Sequence, residues 1–291
     1  MKKVFGWLFV CILLFIMPGC SRGAESADVV ATTKPVYDFT VYLCKNTDIQ
    51  VNRLITESVS CLHDYTLQVN QMRSIESAKL VVISGAGLED FLHDALETAN
   101  CIVDSSQGID LQCVKHSHHD HGDHHHETDP HIWLSTENAG KMAENICAGL
   151  SLQFPQYSET FQKNLSDLQI ELNQLQNYGK NALHDLSSRD IITFHDGFSY
   201  FADEWDLNIV HSLEEESGSE ASAMELKELI NLVRQYDMPA IFTEENGSTS
   251  AAEIIANETN IPIFNLNMGM SDLDYFEIMY QNINTIKEAL E

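Results

Sequence analysis

Between residues 116 and 133 the chain reads HSHHDHGDHHHETDPHIW, a stretch holding eight of its thirteen histidines. His116, His118, His119, His121, His124, His125 and His126 form a crowded run interleaved with Gly, Ser and acidic residues. Neutral imidazole is the commonest protein ligand for borderline metal ions, so the run has the composition of a metal-collecting tract. No apolar residue fixes it, so no single coordination geometry is enforced; a solvated linker is the alternative. His131 stands apart, in Asp-Pro-His-Ile-Trp. Pro130 restricts the backbone before it, and the apolar pair Ile132 and Trp133 follows at once. That setting predicts one fixed imidazole at a lobe surface.

Two further histidines have positions suited to chemistry. His195 lies just past the strand-like IITF, within TFHDGFSYF, and His63 lies in SCLHDYT, at the end of a strand-to-helix connection. On local grounds His195 reads equally as a buried histidine satisfied by the backbone, and His63 by itself reads more readily as an ordinary histidine than as a functional one. His93 and His184 fall on solvated helix positions, and His211 lies inside the strand NIVHSL. Beyond Cys11 and Cys20 the cysteines are Cys44, Cys61, Cys101, Cys113 and Cys147, with no CxxC pair, which gives a thiolate zinc site little support.

The elements that must position these residues alternate. DVVATT, KLVVIS and CIVDSS read as strands, with GLEDFLHDAL as a helix after a Gly-containing turn. RDIITF, NIVHSL, PAIFTE and IPIFNLN read as a second set, separated by AMELKELINLVRQY and SAAEIIANET as helices. Such alternation predicts mostly parallel sheets with helices on both faces. Between the sets, Tyr157, Phe161, Leu165, Leu168, Leu172 and Leu175 recur in steps of three and four, the stripe of one long helix. The expected fold is α/β: two Rossmann-like lobes of mostly parallel sheet joined by one connecting helix, roughly 40 Å long at 1.5 Å per residue. The expected divisions are an N-terminal lobe over 20–155, with the His-rich loop at 116–127, a connector over 156–184, and a C-terminal lobe over 185–291. In such folds ligands bind beyond the carboxyl ends of the strands, here in the cleft between the lobes.

Residues 1–19 read as a signal peptide: Lys2 and Lys3, then an apolar stretch too short for an ordinary membrane span. Cys20 follows Met-Pro-Gly, as at a bacterial lipoprotein cleavage site, and is the expected lipidation point; a plain secretory signal is the alternative. The expected location is the periplasm or the outer face of the cell membrane. The formal charge of −28 argues against nucleic acid as a partner and favours cations near the surface.

Taken together, CLHDYTLQVNQMRSIESAKLVVISGAGLEDFL, DPHIWLSTENA, TFHDGFSYFADEWDLNIV, ASAMELKELINLV and IFTEENGSTSAAEIIANET resemble the zinc- and manganese-binding solute-binding proteins of ABC transporters. The resemblance spans nearly the whole chain after the signal. It implies capture of an ion in the cleft and delivery to a membrane permease driven by a cytoplasmic ATPase. It also implies a ligand set of His63 and His131 from the first lobe and His195 from the second. The family's fourth ligand is variable, a carboxylate or a water. Asn267 stands at the usual aspartate position, and Glu244, after the strand AIFT, is the other protein candidate. The first motif lacks the usual Pro before His63, and Ala221 replaces a Pro before Ser222.

Three imidazoles with an oxygen or open position suit Zn2+ better than Mn2+, which prefers oxygen-rich sites. The resemblance points the same way, since manganese members tend to carry a carboxylate at the position of His195. Alternatives are a manganese-binding member, a zinc-buffering or adhesin-like surface lipoprotein, and a secreted zinc hydrolase. The last is disfavoured because no HExxH motif occurs and no general base is placed. The chain is accordingly expected not to be an enzyme.

Overall fold

The computed structural model describes residues 27–57, 65–113, 128–213, 221–245 and 247–291. His63, the His-rich run and Cys20 lie outside these residues, as does the signal peptide.

Two four-stranded sheets are built from β1 (Val29–Ala31), β2 (Val51–Arg53), β3 (Leu80–Ile83) and β4 (Ile102–Asp104), then β5 (Asp190–Thr193), β6 (Asn208–Ser212), β7 (Ile241–Glu244) and β8 (Ile263–Leu266). Their strand orders are β2-β1-β3-β4 and β6-β5-β7-β8, and every pairing is parallel. The Val- and Ile-rich central strands β1, β3, β5 and β7 are buried along almost their whole length, as strands covered on both faces must be. In each sheet the chain first steps to one side and then returns past its starting strand. The switch points therefore lie at β1/β3 and β5/β7, where a crevice opens beyond the carboxyl ends. The two lobes are thus topological copies of one another, and the α/β double-lobed architecture expected from the alternation is what forms.

The helices are α1 (Lys34–Leu43), α2 (Val69–Ser77), α3 (His93–Leu96), α4 (Thr136–Gln153), α5 (Ser158–Ala182), α6 (Ser199–Glu204), α7 (Ala223–Gln235), α8 (Ser250–Thr259) and α9 (Tyr275–Leu290). Three of the starts carry side-chain caps that the sequence supplies. The Ser135 hydroxyl accepts from Asn138 N–H ahead of α4, Ser222 and Glu225 form a reciprocal capping box on α7, and Asp274 caps α9. The segment GLEDFLHDAL departs from its expected single helix. It forms a 3-10 turn, Asp90–Leu92, and only the short α3. Glu89 is drawn away from the helix into the β1/β3 junction, and this breaks the continuity.

Helix α5 buries Phe161, Leu165, Leu168, Leu172 and Leu175, the stripe read from the sequence. It is no isolated strut: α1, α4 and α9 pack along it. Asn164, in the same buried face, donates to the carbonyls of Leu43 and Lys45 and so closes the end of α1. One apolar core runs without a break from Val29 and Val81 in the first sheet, through α4 and α5, to Ile191 and Phe242 in the second. A smaller cluster sits between β5, β7 and helices α7 and α8.

The β1/β3 junction is held by a buried carboxyl. Glu89 Oε1 accepts from Thr32 Oγ1 at 2.6 Å and Ser84 N–H at 2.7 Å, and Oε2 accepts from Gly85 N–H at 2.9 Å. Gly85 has φ +80°, and a Cβ there would stand 1.9 Å from Asp104 Oδ1, so only glycine fits this turn. Burial pushes Glu89 up to about 7, against three hydrogen bonds that pull the other way. The folded state therefore holds this proton more tightly than the unfolded chain. The resulting stability is fully present below the ordinary value of 4.5 and is lost as pH rises through about 7. Thermal melting of the metal-free protein should show a falling midpoint across that window, and Glu89→Gln should flatten the fall. Parallel curves for the two proteins would rule Glu89 out as its source.

Candidate metal centre

His195 lies two residues past β5, and Phe194 N–H extends the ladder by donating to Phe242 O at 3.0 Å. This carries the imidazole to the carboxyl end of the sheet, at the β5/β7 switch point, where it is 9% exposed. Glu244 ends β7 beside it, with Oε2 at 3.6 Å from His195 Nδ1. His131 comes from the first lobe, directly before a 3-10 turn, Ile132–Leu134, whose three side chains are all fully buried. That apolar plug anchors the backbone, so His131 is aimed by the core beneath it.

The two imidazoles meet across the lobes. His131 Nε2 and His195 Nε2 stand 3.4 Å apart, with ring planes at 88°. Nitrogens held about 2.0–2.1 Å from a tetrahedral zinc stand roughly 3.3–3.4 Å from each other. The pair therefore has the spacing of two corners of such a coordination shell. Asp129 Oδ1 accepts from the other ring nitrogen of His131 at 2.8 Å, which leaves Nε2 to present a lone pair.

Second-lobe residues close tightly around this pair. A Cβ on Gly197 would lie 2.6 Å from His131 Nδ1 and 2.4 Å from Met268 Cε, so the absence of a side chain there is what lets His131 sit where it does. Trp133 Nε1 donates to Met268 O at 2.8 Å, and the His131 ring meets the Trp133 ring edge-on. Asn267 is buried and fully engaged. Its amide NH2 donates to Ser271 Oγ at 2.9 Å and to a Glu245 carboxylate oxygen, and its Oδ1 accepts from Gly269 N–H at 2.8 Å. Asn267 is thus spent on holding a turn.

Of the residues singled out by sequence, His131 and His195 face each other and Glu244 stands beside His195 on its Nδ1 side; His63 lies outside the described residues. Among the described residues no three His, Cys, Asp or Glu side chains gather into a metal-holding group. The side chains of His93 and His184 are each 78% exposed and pair with Glu97 and Asp185 on their own segments, and His211 is half-buried in β6, where burial lowers its pKa. Asp129, Gly197 and Met268 were not found by sequence reasoning. The first carried a usable signal, an Asp two residues before a fixed His, which is the spacing at which an Asp side chain reaches the following backbone.

Imidazoles that meet across two α/β lobes, one beyond the central strand β5 and one ahead of the turn that opens α4, are the arrangement of a two-lobed solute-binding protein. A family model described as zinc-uptake complex component A, periplasmic (ZnuA), matches residues 29–289, and the chain belongs to that family. The high-affinity zinc uptake system protein ZnuA of Bacillus subtilis (strain 168) is 31% identical over 317 aligned positions, covering 100% of this chain and 99% of that protein. The zinc-binding lipoprotein AdcA of Streptococcus pneumoniae (strain R6) is 27% identical over 315 positions; it is longer, and this chain spans 62% of it. A crystal structure of ZnuA superposes with a TM-score of 0.80 at 26% identity, over 91% of this chain and 99% of that one. The metal-dependent lipoprotein YcdH from Bacillus subtilis gives 0.77 at 28% identity, over 90% and 99%. This is a family of metal-binding transport components and not of enzymes.

Replacing Gly197 with Ala should push His131 out of register while leaving the distant core intact. Zinc titration of the variant should show affinity lowered by about tenfold or more, with an unchanged circular dichroism spectrum. Wild-type affinity would mean that the contact with Gly197 does not constrain the imidazole.

Proposed function

We propose that this chain is the extracytoplasmic solute-binding component of an ABC-type zinc importer, capturing Zn2+ and delivering it to a membrane permease with its cytoplasmic ATPase. The observation that carries this reading is the pair of Nε2 atoms from opposite lobes, spaced as ligands of one tetrahedral ion. His63, His131 and His195 are the ligands in this reading, with the fourth position taken by Glu244 or a water. Zinc is the cargo, favoured over manganese because the donors are nitrogen. The run His116, His118, His119, His121, His124, His125 and His126 acts as an auxiliary collector, and the net charge of −28 raises the local concentration of cations. Cys20 carries the lipid that anchors the mature chain outside the cytoplasm. Among the described residues no helix is long and apolar enough to cross a membrane.

Zinc calorimetry tests the site. One tight site is expected in the mature protein, retained when residues 116–126 are deleted and lost in His131→Ala and in His195→Ala. The reverse pattern, with binding abolished by the deletion and kept by both point variants, would assign capture to the His-rich run. Because each imidazole must be neutral to bind, affinity should fall steeply as pH drops below about 6.5. An affinity constant between about pH 7.5 and 5.5 would exclude a three-histidine site.

A further inference from the structure

A single carboxylate oxygen carries two bonds to His131. Asp129 Oδ1 accepts from the His131 backbone N–H at 2.9 Å and pairs with its Nδ1 at 2.8 Å. The same residue is pinned through its own backbone. Its N–H donates to Gln112 O at 2.9 Å, beside the bridge between Cys113 and Thr128, and its carbonyl accepts from Tyr200 Oη–H at 3.2 Å. Tyr200 belongs to the second lobe, on α6, and its hydroxyl oxygen also accepts from Gln112 N–H at 2.9 Å. Burial raises the Tyr200 pKa, so the phenol remains a donor.

Asp129 is fully buried, and its second oxygen, Oδ2, has no hydrogen-bond partner among the described residues. A buried acceptor left unmatched costs about 1–3 kcal/mol. A residue serving only the fold gains nothing from that arrangement, since a neutral side chain would satisfy the same turn more cheaply. An imidazole that must present a lone pair to a cation does gain: a carboxylate on Nδ1 fixes the Nδ1–H tautomer and makes Nε2 more basic.

We propose that Asp129 is a positioning residue for metal capture, acting through His131, and that Tyr200 of the second lobe holds Asp129 in place. The proposal rests on the reading of His131 as a ligand. Lobe packing and ligand orientation are then one event, because the phenol that secures the first lobe's carboxylate comes from the second lobe.

The test uses zinc affinity together with the 15N resonances of His131 in the metal-free protein at alkaline pH. Wild type should show the Nδ1–H tautomer. Asp129→Asn, which keeps the shape and removes the charge, should mix the tautomers and weaken zinc binding by about 10–100-fold. In a His131→Ala background it should produce no further loss. Tyr200→Phe should shift both readouts in the same direction by less, and it serves if Asp129→Asn does not fold. An unchanged tautomer in folded variants, whether affinity holds or falls with thermal stability, overturns the proposal. If His131→Ala itself keeps wild-type affinity, the ligand assignment fails and this proposal with it. If His131→Ala loses binding while Asp129→Asn does not, only the role of Asp129 is lost.

Discussion

Trp133 is the point on which both lobes hang. Its side chain is completely buried, its indole N–H donates to Met268 O, and its carbonyl accepts from Tyr275 Oη–H at 2.9 Å. Met268 lies in the segment joining β8 to α9 and Tyr275 opens α9, so one residue of the first lobe is bonded through its indole N–H and its carbonyl by the second. Gly269, at φ +85°, makes the close approach possible, since a Cβ there would stand 2.8 Å from the indole nitrogen. His131 lies only two residues upstream, and its position relative to His195 is set by this joint.

The same segment adds charged contacts around the joint. Lys34 Nζ, itself almost buried, bonds both oxygens of Asp38 and also Leu273 O at 2.6 Å. Asp38 in turn accepts from Tyr275 N–H at 3.1 Å, which satisfies a carboxylate that burial alone drives toward protonation. The Arg53–Asp272 pair at 2.9 Å is worth little, because Asp272 is 90% exposed and screened. Apolar packing contributes more. The core crosses from one sheet to the other through α4, α5 and α9, and opening the lobes widely would expose it to water. The continuous core therefore opposes a wide hinge motion between the lobes.

A carrier has to bind tightly and still let go, and the crevice supplies both needs from one geometry. His131 is backed by the Asp129 carboxylate at 2.8 Å, and the Glu244 carboxylate stands 3.6 Å from His195 Nδ1. Such backing orients the rings and strengthens their donor atoms. Since the two imidazoles come from separate lobes, a slight displacement between the halves would part their Nε2 atoms without unfolding either half.

Much of this was legible in the chain. Alternating short apolar strands and two-faced helices dictated two α/β lobes, because strands buried on both faces and a three–four stripe have few other ways to hide apolar surface. The stripe from Phe161 to Leu175 specified α5, and the placement of His195 beyond IITF put an imidazole at the end of a central strand. Local signals did not reach contacts between residues far apart in the chain. Glu89 left its expected helix for a junction assembled by Thr32 and Ser84; Asn267 was drawn into a turn with Glu245, Gly269 and Ser271; and α5 proved to be packed by α1, α4 and α9 and not to stand free between the lobes. By itself the sequence determined which residue types stand at the strand ends, since periodicity and motif spacing are properties of neighbours along the chain. Only the tertiary structure decided that two Nε2 atoms face each other at 3.4 Å and that a buried Asp129 aims one of them. Such distances are set by the docking of one lobe's core against the other's, which no local pattern encodes.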